Sequence, residues 1–530
     1  MAQQLRTAFR NPLPVQVADP WILSHEDAYY LYGTHDRDPH AGIPVYTSTD
    51  LVHWRWEGFA FKRHRKNFAQ HHHWSPEVQR VGDAFYMFFC ASPNPTPEPP
   101  LQMRIVLARS DSPLGPFVEL EAPLFEPEPG DEAIEPHLFM DDDGAPHFFW
   151  TRVTTGQNQI CHAPMREDLT GLAGSPEVIL TAEQAWESHA WDGHQVVEGP
   201  FVHKEGAHYY LFYTANHFRD PNYAMGYARA RAITGPWVKP REAPILQRSE
   251  TVAGPGNGVI VSSPDGTESF LAYHTHQSPR EAGWRMLALD RLHFEAGEDD
   301  VLTPVLVGPT NTPQPLPQGA SALPTAQSFP DFGEGLDRSQ WLVVNEAPAA
   351  WELKAGRLHI HTQDGDMWKQ HADFQNLFLQ YAPAGDFAIK AQVAFHPAQN
   401  FEQAFLIVYQ DPDHYVRLSH AYDDDLEFLA AYEVAGDFQY DRLPNTLDSD
   451  VWLAIRKEGD CYTQSVSTDG ENWIKVGHCE VALEAPMVGL GAISPGSGSE
   501  RIAVFENFLF EVPEAEEAIM TAVDDATNAE

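Results

Sequence analysis

The sequence predicts an all-β protein: a five-bladed β-propeller followed by an antiparallel β-sandwich. Three observations carry that prediction. A Pro-headed unit recurs at Pro20, Pro76, Pro136, Pro200 and Pro255, with spacings of 56, 60, 64 and 55 residues. Each unit holds an aromatic-rich strand, and a further strand follows in most of them. Past a Pro-rich stretch, the pattern changes to alternating apolar and polar residues broken by turns. Short strands at such a period, without a long amphipathic helical run, fit radially repeated four-stranded sheets.

The aromatic strands are, in order, Tyr29-Tyr30-Leu31-Tyr32, Phe85-Tyr86-Met87-Phe88, His147-Phe148-Phe149-Trp150, Tyr209-Tyr210-Leu211-Phe212 and Phe270-Leu271-Ala272-Tyr273. Hairpin signals stand before them at Gly82-Asp83, Asp143-Gly144, Glu205-Gly206 and Asp265-Gly266, where φ > 0 comes at low cost. Third strands are expected over 45–48, 105–110, 224–228 and 286–289. The expected domains are a propeller over 1–310, a linker running over the surface at 311–330, a sandwich over 331–513 and a mobile acidic tail at 514–530.

A hydrophobic content of 43% indicates a folded chain, and 530 residues suffice for two cores. The net charge of −42 argues against nucleic acid and anionic membrane as partners. No apolar run reaches membrane-spanning length, and residues 1–20 lack the apolar core of a signal peptide. Cys90, Cys161, Cys461 and Cys479 stand far apart and form no metal-ligand spacing. Together these features suggest a cytoplasmic protein with free thiols.

Three acids open repeated units: Asp19 before Pro20, Glu135 before Pro136, and Glu198 before Gly199-Pro200. Carboxylates at equivalent places of a radial repeat face one axis. That arrangement suits cleavage of a glycosidic bond, in which one carboxylate activates water and another protonates the leaving oxygen. Other conspicuous residues have structural readings. His71-His72-His73 is expected in a loop flanking the site rather than at a metal, because neighbours on a strand point oppositely. Asp141-Asp142-Asp143-Gly144 reads as a hairpin turn and Ser48-Thr49-Asp50 as a turn between strands. Glu77 suits hydrogen bonding between blades as well as catalysis.

The chain resembles family 43 glycoside hydrolases, inverting enzymes on five-bladed propellers. The resemblance rests on Ala18-Asp19-Pro20-Trp21, Trp74-Ser75-Pro76-Glu77-Val78, Ile134-Glu135-Pro136, Glu198-Gly199-Pro200, Gly254-Pro255-Gly256, Tyr273-His274 and the stretch from Arg285 to Asp290. The sandwich is similar to the concanavalin-like (jelly-roll) domain that follows the propeller in β-xylosidases of the family. The resemblance implies Asp19 as general base, Glu198 as general acid, and Glu135 in the slot of an aspartate that orients the acid and raises its pKa. It further implies Arg285, His274 and Trp74 as substrate-binding candidates. No cofactor is required, although the resemblance leaves room for a structural Ca2+ at the propeller centre. Asn257 stands where many members carry histidine, which puts a direct histidine–metal bond in doubt.

The expected activity is exo-hydrolysis of terminal pentoses from hemicellulose oligosaccharides, β-1,4-xylosyl before α-L-arabinofuranosyl. A retaining fructan-acting enzyme and a non-catalytic sugar-binding protein are the alternatives. A homo-oligomer is compatible with the sequence.

Overall fold

The computed structural model describes residues 5–241, 243–280, 282–297, 301–369, 371–447, 450–496 and 500–512. The acidic tail expected at 514–530 lies outside them. The described chain is almost entirely β.

Five antiparallel sheets make the propeller. Blade 1 comprises Ala18–His25, Ala28–Thr34, Gly42–Ser48 and Arg55–Lys62; blade 2, His71–Val81, Ala84–Ser92, Arg104–Ser110 and Val118–Glu121. Blade 3 holds Glu132–Met140, Pro146–Thr154, Gln157–Pro164 and Glu177–Leu180. Blade 4 has three strands, Val197–Glu205, His208–Ala215 and Ala224–Ala230, and blade 5 has Gly256–Ser262, Ser269–His276, Arg285–Ala296 and Leu302–Leu306. The aromatic second strands are buried, with Leu31, Met87, Phe148, Leu211 and Leu271 all at 0% exposure. Apolar side chains on both faces of these strands fill the space between adjacent blades.

The ring closes through the N-terminal segment. Residues 13–17 pair with the outer edge of blade 5, through Leu13 N–H to Leu287 O (2.8 Å), Leu287 N–H to Val15 O (3.0 Å) and Val17 N–H to Arg285 O (3.1 Å). The chain then enters the inner strand of blade 1, so closure satisfies an edge that would otherwise be open.

The Pro-rich stretch is strapped down rather than free. Gln314–Pro315 pairs with Ala8–Phe9, and Leu323–Pro324 pairs with Leu5–Arg6. Buried Asp290 anchors it by accepting from the Thr310 amide (3.0 Å), the Gln314 carboxamide (3.0 Å) and the Tyr273 hydroxyl (2.6 Å).

Two seven-stranded sheets face each other in the second domain. The inner sheet lays Phe405, Ile407, Tyr409 and Tyr415 against residues of blades 1 and 5, including Leu31, Trp54, Val261 and Leu287. Its other face packs on the outer sheet through Leu406, Val408, Val416 and Leu418. Alternation along each strand thus serves two interfaces. The four cysteines are free. Cys461 faces Glu480 and Cys479 faces Tyr462 across one strand pair, so these two thiols point to opposite sides.

Candidate active site

At the axis end of each inner strand one residue turns into the left-handed region: Asp19 (φ 48°), Ser75 (48°), Glu135 (52°), Gly199 (62°) and Asn257 (50°). Each coincides with a shift in strand register. Proline follows in four blades and Gly258 in the fifth. A bulge at this point re-aims the side chain, and strain repeated around one ring is characteristic of a functional site. The five slots surround a cavity of about 30 Å³ on the axis.

Two sequence expectations are corrected by this register. The fifth unit is headed by Asn257-Gly258, not by Pro255. Glu198 is not equivalent to Asp19 and Glu135: Gly199 fills the slot, and Glu198 stands one residue earlier, level with Ala18, Trp74 and Ile134. A Cβ on Gly199 would meet Asn257 Oδ1 at 2.7 Å, so glycine leaves room for that carboxamide.

Second-strand residues tie the slots together. Thr34 Oγ1 accepts from the Ser75 amide (2.9 Å), Thr214 Oγ1 from the Asn257 amide (2.9 Å) and His274 Nδ1 from the Asp19 amide (3.1 Å). Between blades 3 and 4 the Glu135 side chain takes this part, with Oε2 accepting from the Gly199 amide at 2.6 Å.

Asp19 is 8% exposed and held from three sides. Its Oδ1 accepts from Arg285 Nη1 (3.0 Å) and Asn257 Nδ2 (2.9 Å), and its Oδ2 from Thr34 Oγ1 (2.6 Å). Arg285 also forks onto Asp36, through Nε at 3.0 Å and Nη2 at 2.6 Å. This second carboxylate balances the buried guanidinium and fixes its plane.

Glu135 and Glu198 are both buried, and burial raises both carboxyls. It raises Glu135 well above the usual range, assisted by the Glu198 and Asp19 charges, and pushes Glu198 up to about 7. The neighbours decide which one holds a proton. Glu135 receives the Gly199 amide and the Thr151 hydroxyl (2.9 Å) on Oε2, and Asn257 Nδ2 (3.0 Å) on Oε1. Amide N–H groups can only donate, so both its oxygens are committed as acceptors. Glu198 meets Asn158 Nδ2 at 3.3 Å on one oxygen and the Tyr223 hydroxyl at 2.7 Å on the other. A phenol can accept as well as donate. Glu198 thus has an oxygen that can carry a proton with the phenol as acceptor, and burial together with the Asp19 charge favours that state.

The other predicted residues separate. Arg285 lies at the centre of the site. Trp74 is half-buried, level with Glu198 in register, and packs edge-on against His72 at 5.1 Å. His274 has 0% exposure, and its Nδ1 is occupied by the Asp19 amide. Its position resembles a strut more than a sugar contact.

Sequence reasoning missed Asp36, Tyr223, Asn158, Thr34 and Thr151. A signal existed for the threonines: Thr34, Thr151 and Thr214 each follow the aromatic run of a second strand within two residues. Asn158 also bonds His194 (2.8 Å), on a tight hairpin carrying Trp191, which is 40% exposed and stacked on His217 at 4.5 Å.

Glu77 links blades: Oε2 meets His137 Nδ1 at 2.7 Å and Oε1 accepts from the Leu138 amide at 3.0 Å. His137 Nε2 accepts the Val202 amide (2.9 Å), so its proton lies on Nδ1 toward Glu77. His71, His72 and His73 belong to a strand rather than the expected loop, and each imidazole bonds backbone carbonyls, such as Pro97 O at 2.8 Å from His72. Asp141 to Gly144 is a turn, closed by Gly144 N–H to Asp141 O at 2.8 Å.

Comparison with known proteins places this site. The family model "Glycosyl hydrolases family 43" matches residues 9–299, and a family of unknown function, DUF1349, matches 344–513. A xylan 1,3-β-xylosidase from a Vibrio species is 24% identical over 522 residues, 89% of this chain and 91% of its own length. An extracellular exo-α-(1→5)-L-arabinofuranosidase from Streptomyces avermitilis is 26% identical over 288 residues, 50% of this chain and 56% of its own. The crystal structure of a thermostable family-43 glycoside hydrolase shares 35% identity with a TM-score of 0.53, over 59% of this chain and 100% of that one.

These relatives correct the cytoplasmic expectation, since three of the matched arabinofuranosidases are named extracellular. That expectation rested on the polarity of residues 1–20 and on unpaired cysteines, neither of which reports where a protein works. Among the described residues, no helix is long and apolar enough to cross a membrane.

Proposed function

The chain belongs to glycosyl hydrolase family 43, and we propose that it removes terminal pentoses from hemicellulose oligosaccharides with inversion, β-1,4-linked xylose first. The observation that carries this reading is the pair of unlike carboxyls at the axis: Asp19 receiving three donors, and Glu198, which burial pushes up to about 7. Water attacks the anomeric carbon as Asp19 takes its proton. The carbon–oxygen bond to the leaving sugar breaks as Glu198 protonates that oxygen. Glu135 orients the slot beside the acid and supplies negative charge, Arg285 positions Asp19, and Trp74 offers an aromatic face to a sugar ring. His274 supports the Asp19 backbone.

The second domain supports an exo-acting pocket. Its loop near Asp373 reaches the propeller, where Arg37 donates to Asp373 O at 3.4 Å and lies over the Trp284 ring at 5.4 Å, beside Arg285. The Vibrio xylosidase matches most of both domains, whereas the Streptomyces arabinofuranosidase match covers half of this chain. Xylose is therefore the first choice and arabinofuranose the second.

The two-carboxylate chemistry needs no cofactor. The residues at the axis do not suit a calcium ion bound between the acids. Asn257 directs a donor at both Asp19 and Glu135, where a cation requires oxygen ligands. Burial holds His274 neutral, and with Nδ1 accepting, its proton sits on Nε2, which is then a donor rather than a ligand.

Proton NMR of aryl β-xyloside and aryl α-L-arabinofuranoside hydrolysis tests the proposal. Inverted xylose, released faster than arabinose and lost in Glu198→Gln, is expected. Retained configuration would overturn the role of Asp19, and faster arabinose release would reverse the sugar preference.

A further inference from the structure

Four large aromatic side chains are exposed among the described residues: Trp191, Trp368, Phe401 and Tyr440. Trp191 stands on the hairpin linked to the acid of the propeller. The other three, at 41%, 53% and 50% exposure, border one cavity of about 320 Å³ in the second domain. That volume lies in the range of small-molecule sites. Aromatic side chains gathered at one groove, rather than scattered singly, mark a binding surface.

The groove lies on the face of the inner sheet that packs against the propeller, beyond the area of contact. Gln403 and Arg417 stand two residues from Phe405 and Tyr415 on their strands and so share that face, where they form the groove's floor. Arg417 is 1% exposed, donates to Met367 O (3.2 Å), and has no partner for Nε among the described residues. Gln403 is 6% exposed, and its Oε1 is likewise unpartnered. A buried donor and a buried acceptor are thus unmatched under one opening, each costing free energy until a ligand or water satisfies it. The rim carries Arg442, paired with Asp423 at 2.7 Å and near Glu427 at 3.6 Å.

We propose that this groove is a second saccharide site, which holds a linear, uncharged pentose oligosaccharide apart from the catalytic centre. Sugar hydroxyls both donate and accept, matching Arg417 and Gln403, while the ring C–H faces suit Trp368, Phe401 and Tyr440. Three carboxylates against two guanidiniums line the cavity, so an anionic ligand gains little there. A chain held in this groove would remain close to the propeller between hydrolytic events. The occupant follows from the glycosidase assignment of the family, not from the preference for xylose.

The test uses the full chain carrying Glu198→Gln, which prevents turnover, titrated calorimetrically with xylohexaose and with arabinohexaose. Two binding events are expected for at least one sugar. Adding Tyr440→Ala or Phe401→Ala should weaken one event about tenfold, the worth of one aromatic contact, and leave the other. In the otherwise wild-type enzyme the same two substitutions should leave aryl-glycoside hydrolysis unchanged. Both side chains are half-exposed, so an unchanged melting temperature is expected to confirm folding. A single event insensitive to both substitutions would overturn the proposal. So would a change in sedimentation on Tyr440→Ala, which would assign the groove to contact between copies. Failure of aryl-glycoside hydrolysis would instead strike the proposed function and is read separately.

Discussion

Blades 3 and 4 each bring a glutamate to the axis, and a one-residue offset gives the two different chemistry. Glu135 occupies the left-handed slot, with N–H donors on both oxygens. Glu198 precedes the slot, which Gly199 keeps clear, and meets a phenol that can accept its proton. The two are 8% and 9% exposed, so burial does not distinguish them. What distinguishes them is that each Glu135 oxygen receives an N–H, whereas one Glu198 oxygen meets a phenol alone.

The largest effect expected from breaking this contrast is in Glu198→Gln. It should lower kcat by about 10²–10⁴ on natural xylosides. The loss should shrink for nitrophenyl xylosides, whose leaving group needs little protonation. An equal loss on both substrates would remove Glu198 from the acid role.

The connection from blade 3 to blade 4 carries a buried glutamate of a third kind. Glu187, at 0% exposure, pairs with Lys239 at 2.8 Å and accepts the Glu183 and Gln184 amides. Glu187→Ala would strand a buried ammonium and should cost about 3–5 kcal/mol in urea unfolding. A loss below 1 kcal/mol would show that water reaches Lys239 readily.

The pH profile sharpens the comparison further. Glu198 must be protonated to act, so kcat should fall as pH rises through about 7. Glu135→Gln removes a neighbouring negative charge and should move that alkaline limb down by about one unit. An unmoved limb would confine Glu135 to orientation. The smallest effect is reserved for Tyr223→Phe. The Tyr223 hydroxyl donates to Glu198 and stabilises its ionised form more than the acid, so its loss should shift the limb upward by a fraction of a unit.

Much of the fold was legible because its determinants are local. Aromatic strands, paired turns and X-Pro steps repeat along the chain, and each reports its own backbone. Asp19, Glu135 and Glu198 were legible for the same reason, since acids beside prolines stand out in a repeat. The exact slot of Glu198 was not. Whether Glu198 or Gly199 sits at the bulge depends on pairing with Thr214, a contact across the blade. Asp36, Tyr223 and Asn158 lie outside the aromatic strands. Pairing within blade 4 brings Tyr223 to Glu198, and packing of blade 3 on blade 4 brings Asn158. Only closure of the ring joins Asp36 to Arg285 and Asp19. The strapping of the linker was hidden as well, because its strands of two residues are too short to leave a period.

The sequence by itself determined the propeller, the sandwich and the acids near the axis, because hydrophobic periodicity and turn chemistry act over a few residues. Only the tertiary structure decided which donors and acceptors each acid meets, that a carboxamide bridges Asp19 and Glu135, and that an aromatic groove opens on the second domain. Those outcomes depend on donors, acceptors and burial supplied from several blades or both ends of a sheet, and such distances exist only once the chain has closed on itself.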